Sequence, residues 1–407
     1  MSTTSGPLVL PVTTIQHTFL EVIEEVRSGL VSSDTFWLSC YKSSESSIHS
    51  KVRVTLDEVN RDVVHLEAAG NIQIKDTGKD LSRRITLCLV LDSLKPKILL
   101  PTHQYADPTR SNPQHPHRIT AFDVAPDGSQ FATGFLDGSV HIYGTAMRNP
   151  PAETAFGKVH KSTATSLQFF PSSRVLLSGG ADFTLCILPA DPAPSSSALK
   201  PVRTLMGHTR SITSTAIVAR GRNILSSSLD GTVRLWDVSS GEKIHMFAAG
   251  GDRYSPVTSM SLGERGASSL PEGAAADPDP REVETAGKLL FCALQNKSFE
   301  AFDLGTRSAI YQSIPGASPL TTISYAPNHN LLATGSSKGL VEVFDTRALG
   351  TPLTSFTRGE AGVADLNFGE DGQTLLARIV IQCGGSRVVG RDIWSAADDG
   401  IVRTYRS

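Results

Sequence analysis

Three histidines stand at one fixed place relative to an apolar strand start. His115, His160 and His208 each lie four residues before Ile119, Ala164 and Ile212. Aspartates recur with them: Asp137, Asp182 and Asp230 are spaced by 45 and 48 residues. Histidine with aspartate is the material of metal ligation and of acid–base catalysis. The spacing argues for a structural use instead, because each histidine belongs to a different repeat and finds a partner within it. In the segment 207–237, His208, Ser226, Asp230 and Trp236 are placed to form one buried hydrogen-bonded chain. The aspartate caps a turn, the histidine carries its charge inward, and the serine accepts the indole N–H. Buried polar groups persist when each has a partner. Thr133 and Ser178 align with Ser226, whereas Tyr143, Leu188, Phe302, Phe344 and Tyr405 replace the tryptophan. The set is therefore complete once.

Other chemistry finds no support. The sequence has no GxxxxGK[ST], no GxGxxG after a strand, no HExxH and no GxSxG. His115-Pro116-His117 reads as loop, and Cys383-Gly384-Gly385-Ser386 has no context that would activate a thiol. The five cysteines (Cys40, Cys88, Cys186, Cys292, Cys383) form no CxxC pair, as expected of reduced thiols in a cytosolic or nuclear protein. The expectation is a non-enzyme without cofactor or metal.

What holds the histidines and aspartates is a repeat. Gly207-His208 opens a unit that runs through strands at 212 and 224–228, an Asp230-Gly231 turn, and a strand ending in Trp236-Asp237. Residues 131–143, 175–188, 290–303, 331–345 and 393–405 repeat the pattern, with Asn296 and Lys338 at the aspartate position in two of them. A period near 40–45 residues with GH and WD marks is the signature of a WD-repeat β-propeller. Each blade is a four-stranded antiparallel sheet covered on both faces by its neighbours, so the ring must close. The fold class is thus all-β, with six detectable blades. Between Lys338 and Asp399 lie 61 residues, too many for one repeat and too few for two. Val363–Phe368 reads as an inner strand and Asp371-Gly372 as a turn, but 379–391 lacks the turn and strand that should follow. The last unit stops at its third strand, and Pro96–Leu100 is the candidate to complete it.

Residues 1–94 do not fit the repeat. Phe19, Leu20, Ile23 and Val26 have near-helical spacing over 17–29, while 35–41 and 51–56 read as strands, so a small N-terminal α+β domain is expected. Residues 95–116 are the linker, carrying the candidate ring-closing strand, and 117–407 the propeller. Two stretches, 189–201 and 263–287, read as mobile surface loops.

Composition bounds partners. Lys+Arg 38 against Asp+Glu 40 gives a net charge of -2, which argues against a nucleic-acid partner. The longest apolar run, 85–91, falls far short of the roughly 20 residues a spanning helix needs, so no membrane association is expected. The N-terminus shows no basic and apolar leader, in keeping with a cytoplasmic and nuclear location.

Several segments resemble the proteasomal ATPase-associated factor family. These are Thr215-Ala216-Ile217-Val218 followed by Arg220-Gly221-Arg222-Asn223, Phe169-Phe170-Pro171-Ser172 with Leu177-Ser178-Gly179-Gly180, and Trp37-Leu38-Ser39-Cys40. Arg281-Glu282-Val283 before Lys288-Leu289-Leu290, and Asp399–Arg403 with Tyr405, are similar to it too. The family pattern has seven blades, and this chain departs from it between about 376 and 393. The resemblance implies a monomeric assembly chaperone of the proteasome 19S regulatory particle. Such a protein holds ATPase subunits of the base by their C-terminal domains. Propellers commonly bind through loops at one rim, which makes Arg118, Arg210 and Asp398 the candidate partner contacts. The competing reading is a substrate receptor of a ubiquitin ligase or a general signalling scaffold.

Overall fold

The computed structural model describes residues 7–16, 18–42, 45–57, 63–68, 101–107, 109–110, 115–146, 152–191, 198–251, 254–266, 270, 279–369, 371–372, 374–379, 385–390 and 392–406. Short strands of Val, Ile, Leu and Phe, broken by Asp-Gly turns, leave no run long enough for a buried helix, and the chain after Gln104 folds as successive antiparallel sheets. The first blade is Ile119–Val124, Gln130–Phe135, Ser139–Gly144 and Glu153–Lys158. The second is Ala164–Phe169, Val175–Gly180, Leu185–Pro189 and Arg203–Leu205; the third is Ile212–Val218, Asn223–Ser228, Thr232–Asp237 and Lys243–Ala248. The fourth holds Val257–Glu264, Lys288–Leu294, Phe299–Asp303 and Ser308–Gln312; the fifth holds Leu320–Ala326, Leu331–Ser336, Leu340–Asp345 and Thr354–Thr357. Their second strands are buried almost end to end, as in Gln130–Phe135 and Asn223–Ser228, because a neighbouring blade covers each face.

Among the described residues the ring has seven members rather than the six that the turn marks reveal. The sixth sheet, among the described residues, is a pair, Val363–Phe368 with Leu375–Ile379. The seventh is Gly385–Val389, Asp392–Ala396 and Ile401–Arg406, completed by His103–Ala106 as its outermost strand. Consecutive inner strands neighbour one another all the way round, and the inner strand of the seventh blade lies against that of the first. Pro96–Leu100 lies outside the described residues; the strand seen at the ring's closure is His103–Ala106. There Tyr105 stacks on Trp394 at 5.6 Å between centroids and meets Phe131 at 5.2 Å.

Every inner strand from the first blade to the sixth carries a β-bulge one residue after its start. The bulged residue is Thr120, Thr165, Thr213, Thr258, Thr321 and, in the sixth, Ala364. The threonine hydroxyls donate to carbonyls of the neighbouring strand or of the next blade: Thr120 to Ala164 at 2.7 Å, Thr165 to Gly179 at 3.0 Å, Thr213 to Val257 at 2.9 Å, and Thr258 to Ala293 at 3.0 Å. A bulge leaves its extra residue outside the ladder, and these hydroxyls tie it back in.

The N-terminal helix and its sheet have their own core. Helix Phe19–Arg27 lies on an antiparallel sheet ordered Val12–Ile15, Ser33–Tyr41, Ile48–Leu56, Val64–Ala68. Phe19, Val22, Ile23 and Val26 face Phe36, Leu38, Val52 and Val54. Leu20, expected on that face, is exposed, and Val22 takes its place. No helix among the described residues is long and apolar enough to cross a membrane.

The described residues of 263–287 are not a free surface loop; 267–269 and 271–278 lie outside the described residues. Gly263 and Glu264 end an inner strand. Asp279–Glu284 is pinned to the third blade: the Val283 N–H donates to Asn223 Oδ1 at 2.7 Å, and Asn223 Nδ2 donates to the Arg281 carbonyl at 3.1 Å. Glu282, 5% exposed at its side chain, pairs with Arg307 at 2.7 Å. Hydrogen bonds to backbone hold this arm, so its Pro- and acid-rich composition gives no sign of it. The other expected loop, 189–201, has described flanks only, at 189–191 and 198–201; its middle lies outside the described residues, as do Cys88 and Cys383.

Candidate functional site

His208, Ser226, Asp230 and Trp236 meet as one chain inside the third blade. Trp236 Nε1 donates to Ser226 Oγ at 2.9 Å, Ser226 Oγ lies 2.8 Å from His208 Nε2, and His208 Nδ1 lies 2.8 Å from Asp230 Oδ2. The carboxylate can only accept, so Nδ1 carries the proton toward it. Asp230 also caps the turn by accepting the Thr232 N–H at 2.9 Å. Burial alone would raise the Asp230 carboxyl, but hydrogen bonds from His208, Thr232 and the Thr209 amide outweigh it and hold it well below the ordinary carboxylate value. The second blade keeps three of the four, with His160 Nδ1 3.0 Å from Asp182 and Nε2 2.8 Å from Ser178. There Leu188 stands for the tryptophan. Burial holds the His160 imidazole below its ordinary value, partly offset by Asp182.

The first blade departs from this pattern. His115 is exposed, not buried in a chain with Thr133 and Asp137. The imidazole inside that blade is His141, on the third strand opposite Thr133 and hydrogen-bonded to Glu153. Counting four residues back from the inner strand fails here because this blade's buried imidazole comes from its third strand instead. Among the described residues no group of three or more His, Cys, Asp or Glu side chains gathers as a metal site.

The axis of the ring is a polar cavity of about 480 Å³, lined by the bulged threonines, Gln168, Asn367 and Arg387 among others. Most of these groups are already engaged. Arg387 pairs with Asp123, whose second oxygen accepts the Phe169 N–H at 2.6 Å, and Asp365 accepts both the Ser386 N–H and its hydroxyl. This tie joins the sixth, seventh, first and second blades where the repeat is shortest.

One rim of the propeller offers more to a partner. In an antiparallel blade the turn between second and third strands and the loop entering the inner strand lie at the same end. Arg118 and Asp398 meet there, 3.9 Å apart, and Arg210 lies exposed two blades away. On the same rim Leu136, Phe183, Met206, Tyr254 and Ile314 are exposed, Met206 by 73% and Ile314 by 87%. Phe183 is also strained. It sits at φ 70°, in the turn position that Gly138, Gly231, Gly339 and Gly400 fill elsewhere. The turn thus holds an exposed aromatic side chain in a left-handed conformation that a Cβ disfavours. Sequence reasoning missed these apolar residues because they come from separate loops far apart in the chain; the fold collects them.

Comparison with known proteins bears on the fold and the repeat. The WD domain, G-beta repeat family matches residues 106–144, 154–187, 199–237 and 309–345. Each match starts at or near the outermost strand of one blade and ends in or just after the third strand of the next, so the sequence repeat interlocks neighbouring sheets. Ribosome biogenesis protein YTM1 of Chaetomium globosum is 27% identical over 246 residues, 56% of this chain and 49% of that protein. Target of rapamycin complex subunit wat1 of Schizosaccharomyces pombe is 27% identical over 146 residues, 36% of this chain and 38% of that protein. Telomerase protein component 1 of Rattus norvegicus is 27% identical over 151 residues, 37% of this chain and 5% of that protein. The chain spans about half the length, or less, of these curated relatives. It carries WD40 repeats, is built as an all-β WD-repeat propeller, and is similar to scaffold-type proteins; no enzyme family is indicated.

Proposed function

We propose that this chain is a non-catalytic protein-binding scaffold that acts, as a monomer in cytoplasm and nucleus, as an assembly chaperone of the proteasome regulatory particle base. It holds proteasomal ATPase subunits by their C-terminal domains. The binding role is carried by one observation: five exposed apolar side chains on a single propeller rim, beside Arg118, Arg210 and Asp398. A rigid face of this kind loses little entropy on association. The finer assignment is supported by the family resemblance, two of whose segments form one interaction, since Asn223 of Arg220–Asn223 grips the backbone of Arg281 and Val283. The matches to ribosome biogenesis protein YTM1 favour a second reading, an assembly role toward the ribosome.

A tagged pull-down from lysate, resolved on native gels, separates these readings. The proteasome role expects regulatory-particle ATPase subunits without 20S core, and Arg210→Glu should weaken their recovery several-fold. Recovery of pre-ribosomal particles instead transfers the assignment to the second reading, and cullin-type subunits would point to a ligase receptor.

A further inference from the structure

The third and fifth blades differ at the place where the buried histidine sits. Strand register equates Trp236 with Phe344, Ser226 with Thr334 and Arg234 with Glu342, through the pairs Ile224–Trp236 and Leu332–Phe344, Ser226–Arg234 and Thr334–Glu342. Four residues before the inner strand, where the third blade has His208, the fifth has Gly316; the turn aspartate becomes Lys338. With no imidazole to fill it, a cavity of about 180 Å³ remains between the fourth and fifth blades. Its walls include Phe299, Tyr311, Phe344 and Glu342, with Ile314 and Lys297 also lining it.

Glu342 is the telling residue. Its counterpart in the fourth blade, Glu300, receives the Gly250 N–H at 3.0 Å on both oxygens. The Glu342 carboxylate has no side-chain hydrogen bond or ion pair among the described residues, and burial raises it. A half-buried carboxylate without a partner is an unmet demand for a cation. Aromatic rings supply the second half of a cation site: Phe299 lies 5.3 Å from Phe344 and 5.8 Å from Tyr311. Lys297, like Phe183, holds a left-handed conformation, at φ 77°. The volume is below the roughly 300–1,000 Å³ of small-molecule sites and several times the ~30 Å³ share of one water, which suits a single side chain.

We propose that this pocket receives an arginine side chain of a partner protein, its guanidinium held by the Glu342 carboxylate among the rings of Phe299, Tyr311 and Phe344. Arginine fits better than lysine, being planar, able to bind a carboxylate through two parallel hydrogen bonds, weakly hydrated and suited to stacking on rings. The inference rests on the reading of this rim as a protein-binding face, and it adds the chemistry that one anchor of the partner must have.

The test uses the full chain and a fluorescently labelled glycine–serine hexapeptide with one arginine, read by anisotropy, beside the same peptide with citrulline, which keeps the shape and removes the charge. Saturable binding of the arginine peptide is expected, with the citrulline peptide and the Glu342→Gln protein each weaker by about tenfold or more, as for loss of a charge-assisted hydrogen bond. Gly316→His, which refills the slot without touching the carboxylate, should abolish binding too. Melting curves of both variants that match wild type show that the fold is intact. Absence of saturable arginine-peptide binding at millimolar concentration, or equal affinity for wild type and Glu342→Gln, overturns the proposal. Such a failure with ATPase capture intact discards the pocket alone. Peptide binding without ATPase capture discards the proteasome role alone.

Discussion

Trp236 is 2% exposed and gives its indole N–H to Ser226. Trp236→Ala should therefore cost about 3–5 kcal/mol, a cavity plus an orphaned serine, and a thermal midpoint unmoved by the change would remove the residue from the core. Acid should act on the same chains in two stages. The folded Asp230 and Asp182 carboxyls lie below their unfolded value of about 3.9, so their contribution is complete above that pH and is lost as pH falls through the folded values. His160 also lies below its unfolded value of about 6.5; the unfolded chain binds that proton first, so stability already declines as pH drops beneath 6.5. Thermal midpoints between pH 7 and 5 should fall in wild type and fall less in His160→Gln. Equal slopes would mean that His160 does not titrate in this way. The set built on His208 was legible in the sequence because its histidine, serine and aspartate recur at matching positions in the second repeat, and Trp236 completes them in the third. His141 was not, since nothing in the sequence separates a buried histidine on a third strand from an exposed one.

At the scale of elements, the repeat betrayed its strands through apolar runs and Asp-Gly turns. The bulged threonines were equally visible, at the second place of five inner strands, but a hydroxyl beside an apolar run reads as ordinary alternation until the next blade's carbonyl is seen beside it. The arm at Asp279–Glu284 left no such trace, because one asparagine side chain binds its backbone and any sequence there could present the same N–H and C=O. Asn223 is fully buried and serves Trp236, Arg281 and Val283 at once. Asn223→Ala should cost about 1–3 kcal/mol, the penalty for buried groups left unpaired. Hydrogen exchange should show its largest local effect at the Val283 amide, with much smaller changes in the first blade. An unchanged Val283 amide would mean that the arm is held by its ion pairs, Glu282 with Arg307 and Arg281 with Glu242, rather than by Asn223.

At the scale of the whole propeller, the sixth sheet, two-stranded among the described residues, poses the problem of closing a ring where the repeat is shortest. Seven inner strands still neighbour one another in sequence around the axis, and two devices serve the closure. One is polar: Arg387 with Asp123, and Asp365 with Ser386, tie the seventh inner strand to both sides. The other is apolar: Tyr105, brought from before the first repeat, covers Trp394 and Phe131. Because the closing strand comes from the other end of the repeat array, its loss should open the ring at one place rather than weaken it evenly. Tyr105→Ala removes a ring 7% exposed and should cost about 3–5 kcal/mol. Hydrogen exchange should then rise first in Asp392–Ala396 and Ser139–Gly144, which flank the closure, while Asn223–Ser228 in the third blade keeps its protection. Uniform loss of protection would instead mean that the propeller unfolds as one cooperative unit, with the polar tie and the aromatic stack sharing the load around the whole ring.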